Sequence, residues 1–574
     1  MAKKTSIIDP ITRIEGHLRA EMTVEDGVVT EAWVSGGCFR GMELVVRDRT
    51  PEDAAHIVQR ICGVCPVSHG HAATIAAEHA YGIVIPNNAR ILRNLIEGAQ
   101  YLHSHILSLY TLTALDYVNP LNALKANVAD AYDLVEKGGT SIDTDLFALK
   151  EKLKTFADNG QLSIFSGGWF LDKKVAKEYK MSPEADLICT AHYIEALSMQ
   201  AKASEICGLL GGKMPHVMTL APGGIMFMPT AEKLDDLWSM VHDLNAWVEN
   251  TILPDIKLIA SFYGDALKFG KGCGRYAAWG VFEGPDYSKE VTPEDLQWGD
   301  GFVQKILNKR YMPGGIVDEK LKVHDVDYTL FKEYVGHSWY EGDSDLHPDE
   351  GETHPLYTQY YKDEEKQIVN DRYTWSKSPS YDGKPIEAGP FSRVLVAYLR
   401  GVEGIKKPLD GLMKDLGISV ADLQSTLGRT AGRQVETLYV SRLMCDWVDE
   451  LCAAIKEGDS SYFVEPKQLT GRGVGLWEAP RGALLHTEHV TNGKIDDYQI
   501  IIPTTWNIAA RNADGVMGPM EQALVGCPVD DVEMPINALR TVHSFDPCTA
   551  CAVHVTDAKT GKHFETVTNP WGVK

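Results

Sequence analysis

Two Cys-x-x-Cys pairs, Cys62/Cys65 near the start of a 574-residue chain and Cys548/Cys551 near its end, constrain the fold more than any other feature. The first sits in Arg60-Ile61-Cys62-Gly63-Val64-Cys65 with His69 following. The second sits in Asp546-Pro547-Cys548-Thr549-Ala550-Cys551 with His554 following. A zinc ribbon keeps its pairs roughly 15–20 residues apart, because one small module wraps one ion. Here almost the whole protein lies between them, so a shared site requires both ends of a large domain to converge. Three kinds of site can use such thiols. A structural zinc ion is what the spacing alone favours; a redox dithiol needs one pair in a thioredoxin-like βαβ context, which is missing; a catalytic nickel or iron centre suits soft thiolates equally. Charged and hydrogen-bonding groups crowded around both pairs tip the balance toward the third, since such groups orient ligands and tune a metal.

Composition narrows the class. At 44% hydrophobic and 24% charged residues the chain reads as a soluble globular protein able to bury a large core. A formal net charge of −23 repels nucleic acid and anionic membrane surfaces, so neither is expected as a direct partner. No apolar stretch approaches a membrane span, and the N-terminus lacks the apolar region of a signal peptide. The other seven cysteines, Cys38, Cys189, Cys207, Cys273, Cys445, Cys452 and Cys527, lack ligand-like spacing and read as core thiols.

Periodicity predicts an α+β fold, a predominantly α-helical single large domain with β-structured terminal regions. Alternation along His17–Val24 followed by Asp26-Gly27 predicts a hairpin between Thr5 and Thr30. Helices are expected over Pro51–Ala80, around the first cysteine pair, and over Asn88–Tyr110, Pro183–Leu210, Ala231–Phe262 and Val420–Ile455. Residues 270–390 read as short strands and long loops. Short strands are expected again after Val474, with Tyr498–Ile502 as a buried one.

At its motifs the chain resembles the large subunit of [NiFe] hydrogenases. The first cysteine frame is similar to that family's R-x-C-G-x-C-x-x-x-H and the second to its D-P-C-x-x-C-x-x-H. Further matching segments follow in order: Asp9–His17, Arg40-Gly41-Met42-Glu43, Glu478-Ala479-Pro480-Arg481-Gly482 and Pro503–Asn507. The resemblance implies nickel held by Cys62, Cys65, Cys548 and Cys551. Cys65 and Cys551 would bridge to an iron carrying carbon monoxide and cyanide. It implies uptake-type oxidation of H2, with the proton passing to Cys548 and then Glu15, and with Arg481 stabilising charge over the metals. Pro480 would form part of the pocket wall, Thr504 would donate to a cyanide, and His69 would hydrogen-bond a bridging sulfur. Glu43, the Ile500 carbonyl and His554 resemble a second site for a hard cation, expected to be magnesium. One departure stands out: His103-Ser104-His105 carries serine where the family often has the aspartate that pairs with Arg481, leaving Asp546 as the expected partner. The bland alternatives pair Glu15 with Arg13 or Arg19, and Glu43 with Arg47. Other functional readings of the same fold are a hydrogen sensor and a scaffold related to a complex I subunit, which lacks the four cysteines.

The family's mature subunit ends at the second motif's histidine. The expectation is therefore a catalytic domain over residues 1–554 and an extension, 555–574, cut off between His554 and Val555 by a maturation endopeptidase once nickel-insertion factors have acted. The scattered cysteines cannot carry electrons away. An iron–sulfur small subunit is thus implied as partner, and with it export to the outer face of the cytoplasmic membrane or the periplasm after assembly in the cytoplasm.

Overall fold

A computed structural model describes residues 3–162, 176–296, 302–342, 345–351, 353–356 and 371–549. The chain opens with a three-stranded antiparallel sheet of β1 (Lys4–Ile8), β2 (Leu18–Glu25) and β3 (Val28–Gly36). Asp26 and Gly27, both at positive φ, make the predicted tight turn between β2 and β3. Helix α1 (Pro51–Ile57) and helix α2 (Pro66–Tyr81) follow, then α3 (Asn87–Ile106), α4 (Pro183–Gly211) and α5 (Ala231–Tyr263). After the strand-and-loop region come α6 (Pro390–Leu399) and α7 (Thr426–Lys456). A second antiparallel sheet of β4 (Gly471–Ala479), β5 (Gly482–Thr491) and β6 (Lys494–Ile501) leads to α8 (Ile536–Ser544).

The central core is helical. Ile91, Leu95 and Leu102 of α3, Ile252 and Ile256 of α5, and Val435 and Trp447 of α7 are all buried in one apolar cluster. Burying each such side chain contributes about 1.5–3 kcal/mol. The two chain ends meet in a separate cluster. Leu18, Met22 and Val34 of the first sheet pack against Leu524, Leu539, Val542 and Phe545, close to the second cysteine motif. The convergence that the cysteine spacing demanded is thus achieved by ordinary apolar packing between the termini.

Three predicted boundaries need correction. Residues 51–81 are two helices, separated by a 3-10 turn (Val58–Ile61) and an irregular stretch at Cys62–Cys65. Cys62 is extended (φ −140°, ψ 133°), and Pro66 at the start of α2 disfavours helical backbone in Cys65. The helix expected from Val420 begins at Thr426, where the Ser425 hydroxyl accepts from the Gly428 amide as an N-cap. The strands after Val474 are long, at 9, 10 and 8 residues. Gly471, Gly473 and Gly475 of β4 let α2 lie directly on the strand: a Cβ on Gly473 would stand 1.8 Å from the Ala76 carbonyl oxygen.

Candidate metal centre

Irregular backbone at Cys62–Cys65 turns both thiols of the first pair toward the same point, while the loop after α8 delivers Cys548. The ligand atoms of Cys62, Cys65 and Cys548 all lie within 4.8 Å of one another. The Cys62 and Cys548 sulfurs are 3.0 Å apart, and the Cys62 sulfur accepts from the amides of Val64 and Cys65 at 3.3 Å each. All three cysteines are buried. Thiols this close cannot all ionise without a cation between them. Hydrogen bonding with Cys548 and Cys65 lowers the pKa of Cys62, while that neighbouring anion and burial hold Cys65 and Cys548 well above the ordinary thiol range. A soft, multiply charged metal removes the conflict, so the donor set fits nickel or iron. Cys551 and His554, and the proposed cleavage point before Val555, lie outside the described residues.

Glu15 reaches the site because the N-terminal loop pairs with the C-terminal one. Glu15 and Cys548 form an isolated parallel bridge, and the Thr549 amide donates to the Glu15 carbonyl at 2.5 Å. The Cys548 thiol donates to Glu15 Oε2 at 3.2 Å. Neither bland partner competes, since Arg13 pairs with Asp116 at 2.5 Å and Arg19 with Asp9 and Glu21. Asp116 also receives His543 Nδ1 at 2.6 Å, and His543 Nε2 meets the Thr12 carbonyl, so one buried carboxylate locks the N-terminal loop to α8.

Arg481 is buried at the end of the β4–β5 hairpin. It pairs with Asp546 at 3.0 Å and donates to Ser104 Oγ at 3.1 Å. Burial works against its charge, but Asp546 and the thiols of Cys548, Cys65 and Cys62 hold its pKa above the usual arginine range. It is a fixed cation and not a base. Sequence reasoning missed Arg433, which holds Asp546 from the other side at 3.0 Å and is 3.1 Å from His105 Nδ1. Arg393, also missed, donates to Glu436, Glu478 and the Pro480 carbonyl, fixing the wall beside Arg481. Thr504 Oγ1 accepts from the Cys548 amide at 3.0 Å, leaving the hydroxyl proton available to another acceptor. His69 is buried near Cys62, but its described hydrogen bond runs to His486 instead of to sulfur.

Glu43 and Ile500 line one cavity of about 100 Å³, which also reaches Glu333, Lys377, Thr504 and Cys548. Arg47 pairs with Asp497 instead of Glu43. Burial pushes the Glu43 carboxyl up, and Lys377 opposes it. Lys377 is shared with Glu333, Gln499 and Thr353 at 3.2–3.4 Å. The carboxylates of Glu43 and Glu333 on one cavity are oxygen donors of the kind a hard cation takes. Glu333, Lys377 and Gln499 carry no motif in the sequence.

Comparison with known proteins agrees with this geometry. The sequence model of one family, described as Nickel-dependent hydrogenase, matches residues 40–554. The Hydrogenase-2 large chain of Escherichia coli (strain K12) is 37% identical over 573 residues, covering 96% of this chain and 97% of that one. The uptake hydrogenase large subunit of Rhodobacter capsulatus is 36% identical over 594 residues, covering 97% and 96%. Among solved structures, the Ni-Fe-Se hydrogenase from D. vulgaris Hildenborough superposes with a TM-score of 0.76 at 33% identity, covering 96% of this chain and all of its own.

Proposed function

This chain belongs to the nickel-dependent hydrogenase family, and from that premise we propose how its residues divide the work of oxidising H2. It is an oxidoreductase, the catalytic large subunit of an uptake-type hydrogenase, and a large subunit implies a small-subunit partner. The observation that carries the reading is the gathering of Cys62, Cys65 and Cys548 from opposite ends of the chain within 4.8 Å.

Cys62, Cys65, Cys548 and Cys551 would hold nickel, with Cys65 and Cys551 shared with iron bearing carbon monoxide and cyanide. Bound nickel and iron supply the centre at which hydrogen is cleaved heterolytically. The Cys548 sulfur takes the proton, and the 3.2 Å contact to Glu15 Oε2 offers the next acceptor. Arg481, held by Asp546 and Ser104, places a permanent positive charge over the thiolates and stabilises charge that develops there. Pro480 and Thr504 shape the pocket, and His69 supports the first cysteine pair. Glu43, the Ile500 carbonyl and His554 would hold magnesium.

Electrons would leave through iron–sulfur clusters of the small subunit. Nickel-insertion factors and an endopeptidase acting between His554 and Val555 would complete maturation in the cytoplasm, before export to the outer face of the membrane or the periplasm. No helix of the described residues is long and apolar enough to cross a membrane, consistent with attachment through the partner. Metal analysis of the purified two-subunit enzyme, combined with H2-oxidation assays, tests the reading. Nickel with iron and hydrogen-dependent dye reduction are expected; zinc alone in an inactive protein would reject it.

A further inference from the structure

The first cysteine pair is backed by a buried polar cluster that the reaction described above does not use. Helix α2 has Cys65 at its N-cap position (φ −123°, ψ 45°), yet that side chain makes no capping hydrogen bond; its sulfur lies with those of Cys62 and Cys548 instead. Pro66 has no amide hydrogen, and the Cys65 amide donates to the Cys62 sulfur. Val67 therefore carries the first helical amide that needs an acceptor from outside the helix. Gln100 of α3 supplies it: Gln100 Oε1 accepts from the Val67 amide at 2.7 Å.

The other end of that side chain fixes its orientation. Gln100 Nε2 donates to Ser68 Oγ at 2.7 Å and to Glu97 Oε1 at 3.2 Å, and the Ser68 hydroxyl donates to the same Glu97 oxygen. A reversed amide would set its NH2 against the Val67 N–H and its oxygen against Glu97 Oε1. The second oxygen of Glu97 lies 3.3 Å from His71 Nδ1, so α3 grips the first turns of α2 at Val67, Ser68 and His71. Ser68, Glu97 and Gln100 are fully buried, and a bond lost here has no solvent to replace it. One turn further along α3, on the same face, Ser104 Oγ accepts from Arg481 at 3.1 Å. A single turn of helix thus holds the first cysteine loop at one end and Arg481 at the other.

We propose that Gln100 is a positioning residue: it caps α2 in place of the Cys65 side chain, leaving that sulfur to the metals, and through α3 it sets Cys65 in register with Arg481. The proposal rests on reading Cys65 as a nickel ligand.

Gln100→Met removes the acceptor and nearly preserves the volume. In the purified two-subunit enzyme, amides 67–69 should exchange with deuterium about fivefold faster than in wild type, the effect of losing a helix N-cap. The g values of the nickel signal in electron paramagnetic resonance should shift with it. Gln100→Glu keeps an oxygen for the Val67 amide, so both readouts should return toward wild type. Asn94 is the control. It is fully buried, nearly two turns earlier on the same helix, and bonds both backbone groups of Glu283 through its side-chain amide at 2.8 and 3.1 Å. Asn94→Leu should lower the unfolding temperature and leave the nickel g values at wild type. Unchanged exchange or g values in Gln100→Met, a Gln100→Glu variant as altered as Gln100→Met, or the same g shift in Asn94→Leu would each overturn the proposal. Wild-type enzyme tests it without any variant: the Val67 amide, which a helix leaves open at this position, should be protected, and rapid exchange there defeats the cap. Wild-type enzyme holding zinc and no nickel would reject the metal reading instead, and exchange at Val67 would still decide whether Gln100 caps α2.

Discussion

At the scale of single residues, the contact between Cys548 and Glu15 joins two loops more than five hundred positions apart in sequence, and it has a chemical consequence. The carboxylate accepts from the sulfur at 3.2 Å, and the arginines that could have neutralised it are committed to Asp116, Asp9 and Glu21. Glu15→Gln keeps the shape and one acceptor but cannot carry a proton onward. Hydrogen oxidation should fall by about 100-fold or more, the scale of a lost proton-transfer group, while nickel and iron content stay at wild-type levels. Undiminished turnover would remove Glu15 from the route. A second carboxylate makes a stability prediction. Glu488 is buried, and neither of its oxygens has a hydrogen-bond partner among the described residues. Burial, helped by Glu52, raises its pKa from 4.5 to about 8. The folded chain therefore keeps a proton that the unfolded chain releases above about pH 4.5. Stability is fully present below that pH and declines toward pH 8, by up to about 1.4 kcal/mol per pH unit. Glu488→Gln is neutral at every pH, so its gain over wild type should be small at pH 5 and large at pH 8 in denaturant titrations. Equal differences at both pH values would show that the carboxyl is not held protonated.

The elements that carry the site are positioned by small residues as much as by large ones. Helix α2 lies on β4 because Gly471, Gly473 and Gly475 present bare backbone to the carbonyls of Ala80, Ala76 and Ala72. Gly473→Ala places a methyl 1.8 Å from the Ala76 oxygen, where only backbone can yield. A loss of about 3 kcal/mol, the upper end of ordinary overpacking, is expected, together with reduced nickel uptake because α2 begins directly after Cys65. Gly411 is the internal comparison. It lies within the Glu403–Leu416 helix with nothing near its missing Cβ, so Gly411→Ala should gain about 0.5–1 kcal/mol and leave nickel untouched. Thermal unfolding with metal analysis separates the two. The same elements show what could be read in advance. The long helices were legible from their three- and four-residue apolar steps, and the first hairpin from Asp26-Gly27. The break at Cys62–Cys65 was hidden because flanking helical periodicity outweighed it, although Pro66 marked the boundary. The glycine-rich β4 carries little strand propensity; its conformation follows from the helix packed on it. Motifs likewise located Cys62, Cys65, Cys548, Glu15 and Arg481. Arg433, Lys377, Glu333 and His486 became visible only when distant elements were brought together, since a lone buried charge has no local pattern.

Across the whole molecule, the closing of the two termini on each other couples folding to assembly of the centre. Strands β1–β3 pack on the segment that leads into Cys548, Asp116 ties the N-terminal loop to α8, and Asp546 is gripped by Arg481 and Arg433. Cys548 is therefore presented by a segment that can be withdrawn only by breaking buried ion pairs. A metal delivered late needs that segment to remain movable until loading is complete, and residues 555–574 are the part of the chain available to delay closure. If closure follows loading, protein matured with nickel should have the intact mass of residues 1–554. Protein made without nickel should retain the mass of all 574 residues and be cut more readily by added protease near Asp546–Thr549. A full-length mass in active, nickel-loaded enzyme would show that the tail is a permanent part of the fold and that closure needs no cleavage.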